Sequence, residues 1–466
     1  MDRRTAIFSG GAALSAAAAG LGVPAVGDVK TPSPEVLSLK PQNARYRLTE
    51  TITEKMVSLS PDAPPPVIRM KQGVPFAADL TNGLSDYTTM HWHGIRVPNK
   101  MDGVPYLTQF PLVEHETYRY SFMPKDAGTY WYHPHCMTME QMARGMTGII
   151  IVAEKKDPGF DADIPINLRD FNLRPDGQFS PQLFSAKGAA RAGTLGTLIT
   201  ANWQREYATD APAGGLVRLR LAATDPTRIY KIVLSGADGK IIALDGHPLG
   251  APWPLPTRSN PLLLSPGQRA DFALKMPETE GYEVLVATML GEERHVVSRL
   301  RSVGTTLHRA LPDLRPLGPN PLSKPNLKKA EVHELVLGWS PEGNGPNNGF
   351  CGSMGATFWS INRKPWPGDA VKNTGPILTM KMGKSYILRL RNESPTHHPI
   401  HLHGLTFRTL RSNKRKIVPT WTDTVLVGKN ETVDIAVVAD NPGNWALHCH
   451  VIEHQKSGLS GFVRVV

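Results

Sequence analysis

Polar and apolar positions alternate in steps of two over much of the chain from about residue 45. In ETYRYSF, Tyr118, Tyr120 and Phe122 fall on one face and Arg119 and Ser121 on the other, and SYILRLR at 385–391 alternates in the same way. A period of two predicts half-buried β-strands, and apolar positions at helical spacing are scarce. The 42 glycines and 41 prolines suit many short strands joined by turns better than long helices. The pattern predicts an all-β protein, and 466 residues exceed what one core comfortably holds.

Two stretches break the strand pattern. ALPDLRPLGPNPLSKPNLKK at 310–329 is too rich in proline to donate regular ladder hydrogen bonds and reads as a linker, and EKKDPGFDADIP at 154–165 reads as a second boundary. The predicted division is a first domain over 40–155, a second over 160–309, the linker at 310–329 and a third domain over 330–466. The first and third blocks repeat each other. AGTYWYHPH (127–135) matches PGNWALHCH (442–450), GMTGIIIV (145–152) matches GLSGFVRV (458–465), and HWHG (91–94) matches HLHG (401–404).

These repeats carry the candidate chemistry. The chain has 16 histidines, and random placement gives roughly half of one His-x-His triplet. Four are present: His91/His93, His133/His135, His401/His403 and His448/His450. On a strand, residues i and i+2 face the same side with α-carbons roughly 6.6 Å apart, which favours two neighbouring ions over chelation of one. Four pairs supply enough imidazoles for three metals ligated two, three and three. Such a cluster must form between the first and third domains, because each contributes two pairs.

Cys449, between His448 and His450, must point to the opposite face of the same strand. Its thiolate therefore reaches a different metal while its peptide neighbours hold two ions of the cluster. His398 and His454 can complete that second site, and two imidazoles with one thiolate form the trigonal set of a blue-copper electron-transfer centre. Zinc also takes such ligands, but a structural zinc site usually closes with a fourth strong ligand, and Leu459 is not one. The matching positions of the first domain are Thr88, Pro134 and Met139, which are unfit to form a second copy of this site.

HWHG, HPH, HPIHLHG and HCHVIEHQKSGL together resemble the four-block signature of the multicopper oxidases. YKIVLSGADGKIIALDGHPL and LSPGQRADFAL resemble that family's middle domain, so the resemblance covers nearly the whole chain. It implies three consecutive cupredoxin-like Greek-key β-sandwich or barrel domains and four copper ions. Type 1 copper is implied at His398, Cys449 and His454, and type 2 copper at His91 and His401. One type 3 copper is implied at His93, His133 and His450, and its partner at His135, His403 and His448. The implied reaction is one-electron oxidation of a reductant at the type 1 site, transfer through Cys449, and four-electron reduction of O2 to water.

The resemblance also colours four neighbours of the ligands. Asp102, in MDGVPYLTQ, matches an acidic residue near the cluster, where a carboxylate orients water or relays protons; a turn aspartate before Gly103 is the plainer reading. Glu453 reads equally well as a partner of the ligand shell or as a surface residue. Gln455 stands where some relatives carry an acid, which weakens the case for a second relay there. Leu459 occupies the axial position where many relatives have methionine. Loss of a weak sulfur donor predicts a relatively high type 1 potential, and the same side chain can also pack.

Composition narrows the setting. The 52 Lys+Arg against 41 Asp+Glu give a net charge of +11, which without an arginine-rich run or nucleic-acid motif reads as a solvated basic surface with no nucleic-acid partner. Three cysteines are too few for a disulfide scaffold. Cys136 and Cys351 are read as buried free thiols, with pairing as the alternative, since nothing in the sequence places them together. MDRRTAIFSGGAALSAAAAGLGVPAVG (1–27) resembles a twin-arginine export signal, cleavable near Val23-Pro24-Ala25 and too short and weakly apolar to anchor in a membrane. A tail with two chance arginines is the alternative. Export predicts handling by the twin-arginine machinery, a periplasmic or extracytoplasmic location and no stable membrane span; a monomer is expected.

The reductant is the most open question. Met137, Met139, Met142 and Met146, with Cys136, lie beside a ligating pair and suggest Cu(I) oxidation, but methionine is also ordinary core filler. Where relatives specialised for Cu(I) carry a methionine-rich insertion, the stretch at 340–368 offers only Met354 and Cys351. A laccase-like oxidase of phenols or aromatic amines is the first reading and metal-ion oxidation the second. A non-enzymatic copper buffer leaves Cys449's position unexplained, and a metal-free structural cupredoxin protein of the cell envelope predicts eroded ligands that are in fact intact.

Overall fold

The computed structural model describes residues 35–341, 349–369 and 375–466, so the twin-arginine stretch lies outside the described residues. Strands dominate, and they pair into sheets within three consecutive blocks of sequence. In the first block, a three-stranded sheet (Val36–Leu39, Phe76–Thr81, Thr117–Phe122) and a four-stranded sheet (Ile68–Lys71, Gly148–Ala153, Gly128–His133, His91–His93) share one core. Tyr120 and Phe122 meet Trp92, Tyr130 and Ile150 there. The alternation of ETYRYSF thus resolves as predicted, with Tyr120 and Phe122 buried and Arg119 and Ser121 exposed.

The second and third blocks each pair a six-stranded sheet with a five-stranded one, in the same strand order. In the third block the five-stranded sheet runs Leu378–Met380, Ser460–Val465, Gly443–Cys449, His398–Leu402, Thr424–Val427. Strand for strand, Tyr230–Ser235 of the second block takes the place of His398–Leu402, and Glu283–Leu290 that of Gly443–Cys449. Neither second-block strand carries a histidine. The middle block is the same fold filled with apolar side chains, among them Ile232, Val284 and Val286.

The proline-rich stretch at 310–329 is held against its neighbours rather than free. Asn320 Nδ2 donates to the Ala127 and Gly246 carbonyls, and the Ala127 amide donates back to Asn320 Oδ1. Arg96 donates to the Pro321 carbonyl and pairs with Asp126 and Asp440.

Cys136 and Cys351 form a disulfide, which corrects the reading of both as free thiols. They are 215 residues apart, and only the packing of the first block against the third brings them together. The link ties the residue after His135 to the third block, where the Met137 amide also donates to the Cys351 carbonyl. Closing so long a loop restricts the unfolded chain strongly. The double variant Cys136→Ala/Cys351→Ala is expected to lose about 2–5 kcal/mol in denaturant unfolding. An unchanged midpoint would show that the block packing carries this junction unaided.

Candidate metal centre

In the first block, strand pairing sets His91 opposite His133; in the third, it sets His401 opposite His448. Directly opposed residues of an antiparallel pair hold their β-carbons about 5 Å apart. The second histidine of each pair follows two residues on, and all eight rings converge, none more than 3% exposed. Their ligand nitrogens lie within 4.8 Å of one another in three groups: His91, His93 and His401; His93, His133 and His450; His135, His403 and His448.

Most of these rings spend one nitrogen on the protein and turn the other inward. His91 Nδ1 lies 2.9 Å from the Asp102 carbonyl, His401 Nδ1 2.8 Å from the Asp423 carbonyl, His133 Nδ1 3.0 Å from the Pro134 carbonyl, and His448 Nδ1 2.9 Å from the Cys449 carbonyl. His93 is reversed, with Nε2 3.0 Å from Asp423 Oδ1. The opposite nitrogens, His91 Nε2, His401 Nε2, His133 Nε2 and His93 Nδ1, are buried without a hydrogen-bond partner. Unpaired buried polar atoms are costly, so nitrogens aimed together at one volume fit metal ions. Burial, reinforced by the neighbouring rings, pushes His93, His133, His135, His403, His448 and His450 well below the usual 6.5. Neutral imidazole is the form that binds metal.

A second site lies on the other face of the strand Gly443–Cys449. Cys449 Sγ is 3.6 Å from Nδ1 of both His398 and His454, and those two nitrogens are 3.1 Å apart. The far nitrogens are held by protein: His398 Nε2 lies 2.9 Å from Ser394 Oγ, and His454 Nε2 lies 2.6 Å from the Arg191 carbonyl. Two imidazoles and a thiol converging in this way fit a copper ion. His454 reaches the site from the short helix Ile452–Lys456 rather than from the strand. Burial raises the Cys449 thiol and lowers His454 to about 4, against the opposing effect of its Arg191 hydrogen bond. The first-block counterpart is closed by protein contacts, with Thr88 Oγ1 donating to Gln141.

Asp102 is fully buried, with Oδ1 3.2 Å from His91 Nδ1 and Oδ2 3.0 Å from His403 Nδ1. Both are the ring nitrogens turned away from the centre, so the carboxylate fixes tautomer and orientation from behind. Gly103 makes this approach possible: at φ +79° its backbone lies so close to Met90 that a β-carbon would sit 1.8 Å from the Met90 carbonyl oxygen.

Sequence reasoning missed Asp423 and Thr424. Asp423 Oδ1 contacts His93, its carbonyl faces His401, and Thr424 Oγ1 lies 3.2 Å from His93 Nε2 and 3.1 Å from His401 Nδ1. The middle block supplies the counter-charge, since Arg269 Nη1 and Nη2 donate to the two Asp423 oxygens at 2.8 and 2.6 Å. Burial opposes charge on Asp423, but Arg269 and His93 outweigh it and hold the carboxyl well below its usual range. The one trace in the sequence is a charged residue between two threonines before an apolar strand, TDTVLV. Gly267 of the middle block also abuts the cluster, where a β-carbon would come within 3.0 Å of His93.

The remaining candidates sort by contact. Glu453 is buried and accepts hydrogen bonds from the Thr194 amide and hydroxyl of the middle block. Gln455 Nε2 lies 3.5 Å from His135 Nε2. His397 is outside every ligand group. Met146 is buried in the first-block core, and Met142 packs with Trp131 and Ile452.

Comparison with known proteins agrees with this geometry. Two models described as multicopper oxidase match residues 41–157 and 346–466. The crystal structure of a multicopper oxidase from Pseudomonas parafulva is 38% identical with a TM-score of 0.81, covering 92% of this chain and 100% of that one. The chain belongs to the multicopper oxidase family. A multicopper oxidase of Mycobacterium tuberculosis is 28% identical over 91% of this chain and 85% of its own length. Laccase-1 of Botryotinia fuckeliana is 26% identical over 85% of this chain and 76% of its own. The protein is therefore an oxidoreductase of cupredoxin-like β-domains, and its histidine clusters fit the copper that the family implies.

In this multicopper oxidase, Asp423→Asn keeps the shape of the side chain but removes the charge that faces Arg269 and His93. Loss of such a ligand-orienting partner is expected to cost about 10–100-fold in copper affinity of the histidine cluster or in activity. Copper stoichiometry checks it, read beside the blue absorption expected of copper bound to the Cys449 thiolate. The absorption is expected to survive, and loss of both together would mean that the whole fold had been disturbed.

Proposed function

We propose that this multicopper oxidase is laccase-like, taking electrons one at a time from phenols or aromatic amines and passing four to O2 to give water. The observation that carries this reading is Cys449. Its thiol belongs to the His398/His454 site, while the residues bonded to it on either side, His448 and His450, belong to two different imidazole groups. One peptide segment thus joins a one-electron site to a multi-electron site. A copper buffer has no use for that connection.

The proposed assignment places type 1 copper at His398, Cys449 and His454, type 2 at His91 and His401, and the type 3 pair at His93/His133/His450 and His135/His403/His448. Bound there, copper supplies one-electron exchange at the thiolate site and reduction of O2 at the histidine cluster. The chain's own residues supply position. Burial keeps water from the rings, the backbone carbonyls and Asp423 fix which nitrogen faces inward, and Asp102 acts through His91 and His403. Met142 and Met146 are occupied in packing, which favours an organic reductant over Cu(I). A buried disulfide suits an oxidising compartment and supports the export that the twin-arginine stretch suggests.

Leu459 is fully buried in the third-block core, its amide donating to the His454 carbonyl and its carbonyl accepting from the Cys449 amide. An aliphatic group held beside both ligands would offer bound copper no further donor, which would favour the cuprous over the cupric ion. Redox titration of Leu459→Met is expected to show a lower type 1 potential than the wild type; an equal or higher value would defeat this account. Cys449→Ser is expected to abolish both the blue thiolate absorption and phenol-driven O2 uptake while copper remains in the histidine cluster. Retained turnover in that variant would refute the electron path.

A further inference from the structure

No reductant can touch the ligands of the thiolate site directly. His398, Cys449 and His454 are fully buried. The outward nitrogen of His398 faces Ser394 and Thr396, at 2.9 and 3.2 Å. That of His454 donates to the Arg191 carbonyl, in a turn of the middle block whose Thr194 is fastened to Glu453. The route inward must therefore pass through protein.

Among the described residues, one aromatic path connects these ligands to the surface. The buried Trp359 ring lies 4.8 Å from the His398 ring and 4.8 Å from the His454 ring. It is fixed there by Nε1 donating to the Ala189 carbonyl at 2.6 Å and by its amide donating to the Ser457 carbonyl at 2.9 Å. Trp339 is its directly opposed partner across the antiparallel strands Glu331–Trp339 and Trp359–Ile361. The two indoles stack at 4.2 Å with their planes 16° apart, and Trp339 is 41% exposed. A solvent-facing π-surface is thus continuous through a buried one to both imidazole ligands.

The geometry points to Trp339 as the docking and electron-intake surface for aromatic reductants, coupled through Trp359 to His398 and His454. This rests on the laccase-like reading and adds where the reductant binds. A planar phenol stacks on the exposed indole, as aromatic rings do in offset contact. It gives up one electron through the indole pair and its hydroxyl proton to solvent, leaving a phenoxyl radical. The proton cannot pass to His454, whose Nε2 already donates its own to Arg191. Four such events, with four protons, reduce one O2 to two waters. A packing role alone for the two rings predicts no discrimination between donors.

The test compares wild type, Trp339→Leu and Trp339→Phe with two reductants, 2,6-dimethoxyphenol and ferrocyanide, the second having no aromatic face. Anaerobic stopped-flow bleaching of the blue absorption reads the single electron-transfer step, and quenching of tryptophan fluorescence in the copper-free protein reads docking alone. Trp339→Leu is expected to slow reduction by the phenol about tenfold, the equivalent of about 1.4 kcal/mol of lost stacking. It is also expected to remove the quenching and leave ferrocyanide within about twofold, with Trp339→Phe restoring most of the phenol rate. Equal phenol rates in Trp339→Leu and wild type, or equal losses with both donors, would overturn the assignment while leaving the laccase-like reading intact. A wild type that no phenol reduces would remove that reading and the assignment with it.

Discussion

The structure depends on one awkward requirement: eight imidazoles must be buried together while each keeps a nitrogen free. Burial disfavours their charged forms, and an unpartnered nitrogen in a dry interior is costly unless a metal takes it up. The fold meets the requirement through backbone carbonyls placed by strand register. His91, His133, His401 and His448 are each held by a carbonyl belonging to their own block, so the strands that create the site also choose its tautomers. Because the first and third blocks each bring two of the four pairs, neither can complete the cluster alone.

The middle block holds no ligand, yet it closes both sites. Its Arg269 neutralises Asp423 behind His93, its Gly267 lies against the rings, and its Arg191 carbonyl occupies the outer nitrogen of His454. Thr194 of the same block fastens to Glu453, next to that ligand. A block with the same strand order but apolar positions in place of the histidines thus acts as the lid of a metal assembly made by the other two. Lone buried charges such as Arg269 are tolerated only where they are paired, and its partner is itself part of the ligand shell.

The ligands were legible because their signal is local. A His-x-His pair on a strand places two rings on one face by geometry alone, and four such pairs exceed chance by enough to need no structure. The opposed direction of Cys449 follows from the same period of two. What escaped was non-local. The Cys136–Cys351 bond spans 215 residues and depends on how two blocks pack, information that no spacing contains. Asp423 reaches His93 and Arg269 from a third part of the chain, and Trp339 faces Trp359 only through the register of two consecutive strands, which the residue spacing does not fix. The likeness of the second block to the third was expected from the family resemblance and not from shared residues, because apolar side chains of similar size can fill equivalent strands in many combinations.

The placement of acid gives the cluster a direction. Among the described residues, the carboxylates that contact cluster rings are Asp102, on His91 and His403, and Asp423, on His93 and His401. On the side of His135 the corresponding contact is the neutral Gln455. Buried negative charge stabilises nearby cations and favours protonation, and it acts strongly where water is excluded. Each carboxylate contacts one ring of the two-histidine position proposed above, His91 or His401, and one ring of a proposed three-histidine position, His403 or His93. The negative charge is thus shared between rings of neighbouring groups, with the shorter contacts to His403 and His93. Among the described residues, carboxylate thus stands behind four of the eight rings, an asymmetry that could not have been read from the spacing that revealed the histidines.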